Sequence, residues 1–364
     1  MYKVITVINN HFVQHCLQKI DSDLVVHSGH YKHECSDQLP EKISVKILAE
    51  FLTENISNEG LVMTGIQKFT DLAFQDGFEL FEHKNQFLIN KIILTYPQNE
   101  TIQHNLLRII ESSLHVIAEK KLLDSESLND RQFLNATTIK NIFYIFLKYE
   151  DMADFQLLIL KIFIHLSNFV SITNQLAEYN IIKYILEIFE KHSSNPTFCA
   201  YFCKALGCLC LNHKVLRSAR KQNCLSYLKK CILQHQDNLF CSEMAVNAII
   251  SLCSDERQIC AEELEVDVTS AILVALEQNL ESANFVKSAC IALAALISYL
   301  EDCAFRFLYL APSGSNKKEI DGINLLKKAY SIHKDERDVV ECICNVFKEL
   351  SSYVKHFNLN YFYI

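Results

Sequence analysis

Apolar residues along this chain recur in a group of four, at offsets −7, −4, −3 and 0 from an anchoring leucine. The clean copies are Ile159/Ile162/Phe163/Leu166, Phe202/Ala205/Leu206/Leu209, Ala245/Ala248/Ile249/Leu252, Ala289/Ala292/Leu293/Leu296 and Ile343/Val346/Phe347/Leu350. Such offsets fall on one stripe of an α-helix, so each group predicts a helix with one buried face. Two frayed copies are anchored at Leu72 and Leu114, where Lys68 and Glu111 interrupt the stripe. The seven anchors follow one another at intervals of 42, 52, 43, 43, 44 and 54 residues.

A second amphipathic stretch and a short polar break precede each clean copy, as in IIKYILEIFEKHSSNPTF (181–198) and VTSAILVALEQNLESANF (268–285). Asn, Asp, Ser and Pro196 in the breaks stop one helix and cap the next. A shorter element comes before the pair, as in ITNQLAEYN (172–180) and RQICAEELE (257–265). A short helix and two longer ones in ~43 residues is the armadillo or HEAT layout. One such unit cannot bury its own apolar faces, so stacked neighbours must supply a continuous core. The expected fold is therefore all-α, a right-handed superhelical solenoid of about seven repeats over 43–357, with longer loops near 119–138 and 311–322. Residues 1–42 are expected to form a helical cap or a partly ordered arm, and 358–364 a C-terminal tail.

Composition agrees with this pattern. Seven glycines and four prolines in 364 residues are too few for the turns of a sandwich, barrel or doubly wound α/β fold. The apolar fraction of 50% argues against disorder. A net charge of −8 gives no general pull toward nucleic acid or anionic membrane, so neither is expected as a partner. The densest basic stretch, Lys214–Lys230, reads as a solvated helix face. No secretory signal or membrane-length apolar run is apparent. The 15 cysteines then read as reduced thiols in a cytoplasmic protein, 11 of them between Cys199 and Cys303.

Candidate chemistry is sparse. His27, His30, His33 and Cys35 crowd into nine residues but lack the second ligand pair of a closed zinc site, and His11/His15 is weaker still. No metal or other cofactor is therefore expected. The signatures of zincins, α/β-hydrolases and P-loop proteins are missing, and the chain is expected not to be an enzyme. Asn55, Asn99 and Asn135 stand in chance glycosylation sequons.

The armadillo consensus is visible in AEYNIIKYILEIFEKHSSNPTFCAYFCKALGCLCLN (177–212). The strings ALAALISYLEDCAFRFLYL (292–310) and GINLLKKAYSIHKDERDVVECICNVFKELSSY (322–353) resemble the C-terminal repeat region of the serine/threonine kinase-like domain-containing family, and more loosely the armadillo arm of leucine-rich-repeat kinases. The resemblance implies a kinase-like lobe ahead of the repeats. No G-x-G-x-x-G loop, H-R-D, D-F-G or A-P-E stands in this sequence, so no catalytic residue carries over. Two functions follow as expectations: a non-catalytic interaction scaffold using a concave face, or the docking region of a kinase-like protein. In armadillo proteins that grip extended peptides, the residue before the anchor is repeatedly Asn. Here those positions are Asp71, Ser113, His165, Cys208, Ser251, Ala295 and Glu349. These seven are the candidate binding residues, and lacking amides they suit a helical or folded protein partner packed by apolar contact.

Overall fold

The computed structural model describes residues 43–73, 83–119, 134–253, 267–308 and 321–353. Among them stand seventeen helices and no strand. The His-rich run at 27–35, the RQICAEELE element and the 358–364 tail lie outside the described residues. The chain divides into two compact units, Met1–Asn141 and Ile142–Ile364.

The first unit holds α1 (Val45–Glu54), α2 (Glu59–Ala73), α3 (His83–Thr95) and α4 (Glu100–Glu119). These form two helical hairpins, with α1 against α2, α3 against α4, and α2 packed along α4. The stripe of α2 is displaced by one residue from the sequence pattern. Ile66, Phe69, Thr70 and Ala73 are buried, while Leu72 is only half-buried. Thr70 tolerates burial because its hydroxyl donates to the Ile66 carbonyl at 3.0 Å, which satisfies the group inside its own helix. In α4 the frayed copy keeps its register, with Leu107, Ile110 and Leu114 at 2% exposure or less.

Polar side chains bind these helices end to end. Gln103 of α4 donates from Nε2 to the Ile93 and Tyr96 carbonyls, both at 2.9 Å. Those carbonyls belong to the open C-terminal end of α3, which needs acceptor partners. Asn141 donates to Asn90 Oδ1 at 2.8 Å, and Asn90 donates to Thr138 Oγ1 at 2.9 Å.

The second unit carries the clean repeats. After α5 (Ala136–Lys148), inside which the division falls, come α6 (Ala153–Leu166), α7 (Val170–Glu178), α8 (Ile181–His192), α9 (Pro196–Leu209), α10 (His213–Lys221), α11 (Cys224–Gln234) and α12 (Leu239–Leu252). Then follow α13 (Val268–Gln278), α14 (Ala283–Tyr299), α15 (Glu301–Leu308), α16 (Gly322–His333) and α17 (Arg337–Ser351). Leu166, Leu209, Leu252, Leu296 and Leu350 are all at most 2% exposed, so the anchors are core residues. Phe347 is the exception within the clean copies, being half-buried. The anchor-bearing third helices α6, α9, α12, α14 and α17 lie side by side in that order.

Each break works as its composition suggests. Asn195, Asn238 and Ser282 accept from the Phe198, Cys241 and Phe285 amides at the starts of α9, α12 and α14. Asn180 and Asn223 take left-handed backbone, φ 54° and 53°, and turn the chain from a short helix into the next long one. Asparagine is among the few residues that enter this region at low cost. The expected loop 311–322 ends earlier than the sequence suggests. Asp321 caps α16 through the Ile323 and Asn324 amides, and Gly322 is buried in its first turn. A Cβ there would stand 2.6 Å from the Phe307 carbonyl oxygen.

Successive second helices are latched by histidines. Nε2 of His192, at the end of α8, meets the Glu150 carbonyl at 2.8 Å. His235 meets the Ser193 carbonyl at 2.8 Å, and His333 meets the Leu280 carbonyl at 2.7 Å. A carbonyl only accepts, so Nε2 carries the proton in each case. Each latch joins the end of one second helix to the end of the second helix before it. Lys191 with Glu150 and Asp151, and Lys230 with Glu190, run alongside at 2.7–2.9 Å.

Candidate interaction surface

The residues before the anchors take unequal positions. Asp71 is exposed at the end of α2. Ser113 is fully buried and donates to the Ile109 carbonyl at 2.7 Å, so its hydroxyl is withdrawn from any surface. Both belong to the first unit. His165, Cys208, Ser251, Ala295 and Glu349 are half-buried on α6, α9, α12, α14 and α17, and these five sit on helices that pack side by side. Small residues let two of those helices come very close. A Cβ on Gly207 would stand 3.1 Å from the Ala248 Cα of α12.

The row is poor in hydrogen-bonding groups free for a ligand. The Ser251 hydroxyl donates to the Asn247 carbonyl at 3.3 Å. Burial pushes the Cys208 thiol up despite nearby Lys204 and the hydrogen bond of Ser167, so it stays a neutral, weakly polar group. Ala295 offers only a methyl.

Beside this row runs a set of side chains that the repeat pattern does not single out. Lys161 Nζ of α6 lies 5.0 Å from the ring centroid of Tyr201 on α9, a cation–π separation. Tyr201 meets Phe240 of α12 edge to face, with centroids 6.0 Å apart. Lys287 of α14 pairs with Asp338 of α17 at 3.1 Å. Phe240 and Ile291 remain about two-fifths exposed, at 43% and 39%. Tyr201 stands eight residues before its anchor and Phe240 twelve before its own. They therefore occupy different repeat positions and escape a search for equivalent ones.

The Lys214–Lys230 stretch is mostly solvent-facing, with Lys214, Arg217 and Lys221 exposed on α10. Arg220 departs from that reading. It is 8% exposed and donates to the Leu252 carbonyl from Nε at 3.1 Å and from a terminal nitrogen at 2.6 Å. It thereby closes the C-terminal end of α12. Among the described residues, no group of His, Cys, Asp and Glu is arranged to hold a metal ion, and no helix is long and apolar enough to cross a membrane. What the third helices present is shape and apolar contact edged by a few charges.

No family model matches the sequence, and no curated protein matches it either. A solved chain does match in fold, from work on a phosphorylation switch that controls the interaction between cadherin and β-catenin. The TM-score is 0.56 at 12% identity, and the match covers 86% of this chain and 62% of that one. This chain thus spans less than two thirds of the neighbour's length. The kinase-like family suggested by 292–353 has no counterpart in these matches. Helices repeating in this order, stacked through their anchor-bearing members as in an armadillo neighbour, make this an all-α protein of armadillo-like fold.

Proposed function

We propose that this chain is a non-catalytic protein-interaction module that presents the third helices of its second unit to a helical or folded partner inside the cell. The observation that carries the reading is the row His165, Cys208, Ser251, Ala295 and Glu349, half-buried and without an amide, flanked by Tyr201, Phe240 and Ile291. An extended peptide needs a donor and an acceptor for each peptide unit it shows. This row has no amide to supply both from one side chain, whereas an apolar helix face needs only contact area. The interaction between cadherin and β-catenin studied in the fold neighbour supports protein binding as the class of function. Free thiols throughout the described residues support a reducing, cytoplasmic setting. The strings at 292–353 support a finer version, in which the module is the regulatory or docking repeat region of a kinase-like protein.

The test is proximity labelling in the native cell with the full chain and with Ala295→Arg and Tyr201→Ala. Both variants should keep the helical signal and melting temperature of the parent. Partners enriched by the parent should fall by about tenfold with Ala295→Arg, which sets a buried charge against an apolar interface. Basic nuclear-localisation peptides and extended acidic ligands should show no appreciable binding. Micromolar binding of such a peptide, lost in Ala295→Arg, would overturn the reading.

A further inference from the structure

Each third helix from α6 to α14 has a later third helix packed along it, whereas α17 has none among the described residues. One face of the last repeat is open as a result. Six residues before the anchor, Leu160, Cys203, Val246 and Cys290 are at most 1% exposed, but Cys344 is exposed. Three residues before it, Phe163, Leu206, Ile249 and Leu293 are buried to the same degree, but Phe347 is only half-buried. Twenty residues before it, on the second helices, Phe146, Phe189, Ile232 and Leu276 are fully buried, but Tyr330 of α16 is 49% exposed. The repeat pattern thus keeps apolar and thiol side chains at positions that water reaches only here. An end repeat that faces solvent needs a polar outer face, and this one does not have it.

We propose that this face is a homodimer interface, on which α17 of one chain packs antiparallel to α17 of a second copy across a two-fold axis. It stands at the end of the stack and is distinct from the row of third-helix residues assigned above to another protein.

The charges around the open stripe select a second copy as the occupant. Glu341 stands three residues before Cys344 and Lys348 four residues after it, and both are exposed. Offsets of three and four put them on the same side of the helix as Cys344. With Cys344 on the axis, Glu341 comes within one residue, about 1.5 Å of helix rise, of lying opposite Lys348 of the second copy. The pair forms twice, as any contact across a two-fold does. Val340 and Phe347, both half-buried, oppose each other in the same register. Lys348 also approaches Glu349 of its own helix at 3.7 Å, an exposed contact too weak to hold it there. The face is therefore self-complementary in charge as well as apolar along its middle.

Light scattering on the eluted, reduced full chain tests this first, and should give twice the 42.0 kDa of one chain. Copper–phenanthroline oxidation followed by peptide mapping should then yield a Cys344–Cys344 link, which only two chains can make. Helices packed about 8–10 Å apart bring facing cysteines within reach of each other. Glu341→Lys should weaken the dimer by about tenfold or more, since it sets two lysines together at both ends of the contact. Adding Lys348→Glu to that variant should restore it, with the helical signal unchanged throughout. A chain that stays monomeric up to about 100 μM would overturn the proposal. So would a dimer whose linked peptides omit Cys344, or one that Glu341→Lys leaves intact. The parent chain's mass and linked peptides decide the matter even where a variant folds poorly.

Discussion

Leu209 illustrates how far a single position can be read. Its place at offset zero of a clean stripe predicts burial, and it is fully buried in α9. Leu209→Ala should cost about 2–5 kcal/mol, since a cavity inside a packed repeat relaxes only partly; urea unfolding followed by circular dichroism measures it. Gly207, two residues earlier, makes the opposite kind of demand. With the Ala248 backbone 3.1 Å from where a Cβ would stand, Gly207→Ile should destabilise by about 1–3 kcal/mol through overpacking. An unchanged midpoint would show that α9 and α12 can separate freely. Hydroxyl residues set the limit of legibility. Thr70 and Ser113 look polar in sequence, yet each turns its hydroxyl onto its own helix and is buried. That is why the stripe of α2 is centred on Ala73 instead of Leu72, and why one of the seven candidate binding residues lies inside the protein.

Among the elements, helix starts were legible and helix-to-helix ties were not. Asn and Ser before the third helices announce their caps because the capping bond is local. The latches of His192, His235 and His333 are long-range, and histidine carries no periodic signal by itself. A trace was present nonetheless, because each stands seventeen residues before its anchor, at Leu209, Leu252 and Leu350. His235→Ala should cost about 1–3 kcal/mol by leaving the Ser193 carbonyl without this partner. Chemical denaturation of the variant checks it, and a change below about 0.3 kcal/mol would mean that water replaces the ring. At the start of α13, Asp267 offers a pH test. Burial raises its carboxyl, but the Ser270 side-chain and backbone bonds, with Arg306 at 3.4 Å, outweigh this and hold it below the usual range. Its contribution is therefore present above the ordinary carboxylate value near 4 and lost as pH falls through the folded value. Asp267→Ala should lose about 1 kcal/mol near pH 7, with the difference from the parent shrinking as the pH falls below about 4.

For the molecule as a whole, the all-α class was legible because it depends on apolar spacing, whereas the partner-facing surface depends on which side chains meet across helices. Lys161, Tyr201 and Phe240 meet only once three repeats are stacked. Cysteine-rich packing also has a collective outcome. Burial pushes Cys210, Cys253 and Cys290 to about 12, while unfolded thiols ionise near 8.5. The folded chain then holds more protons than the unfolded one across that window. Stability should be unaffected below pH 8 and fall between roughly pH 9 and 12, by about 1.4 kcal/mol per pH unit for each thiol. Denaturation midpoints across alkaline pH, with Cys253→Ala as the less sensitive comparison, measure this. The histidine latches, finally, point one way along the chain: every ring comes from the later repeat and every carbonyl from the earlier one. During synthesis from the N-terminus, the Glu150, Ser193 and Leu280 carbonyls would each wait for a histidine not yet made. Trimming from the C-terminal side past one of those histidines should therefore leave that carbonyl bare. Trimming from the other side only releases an imidazole that water can serve.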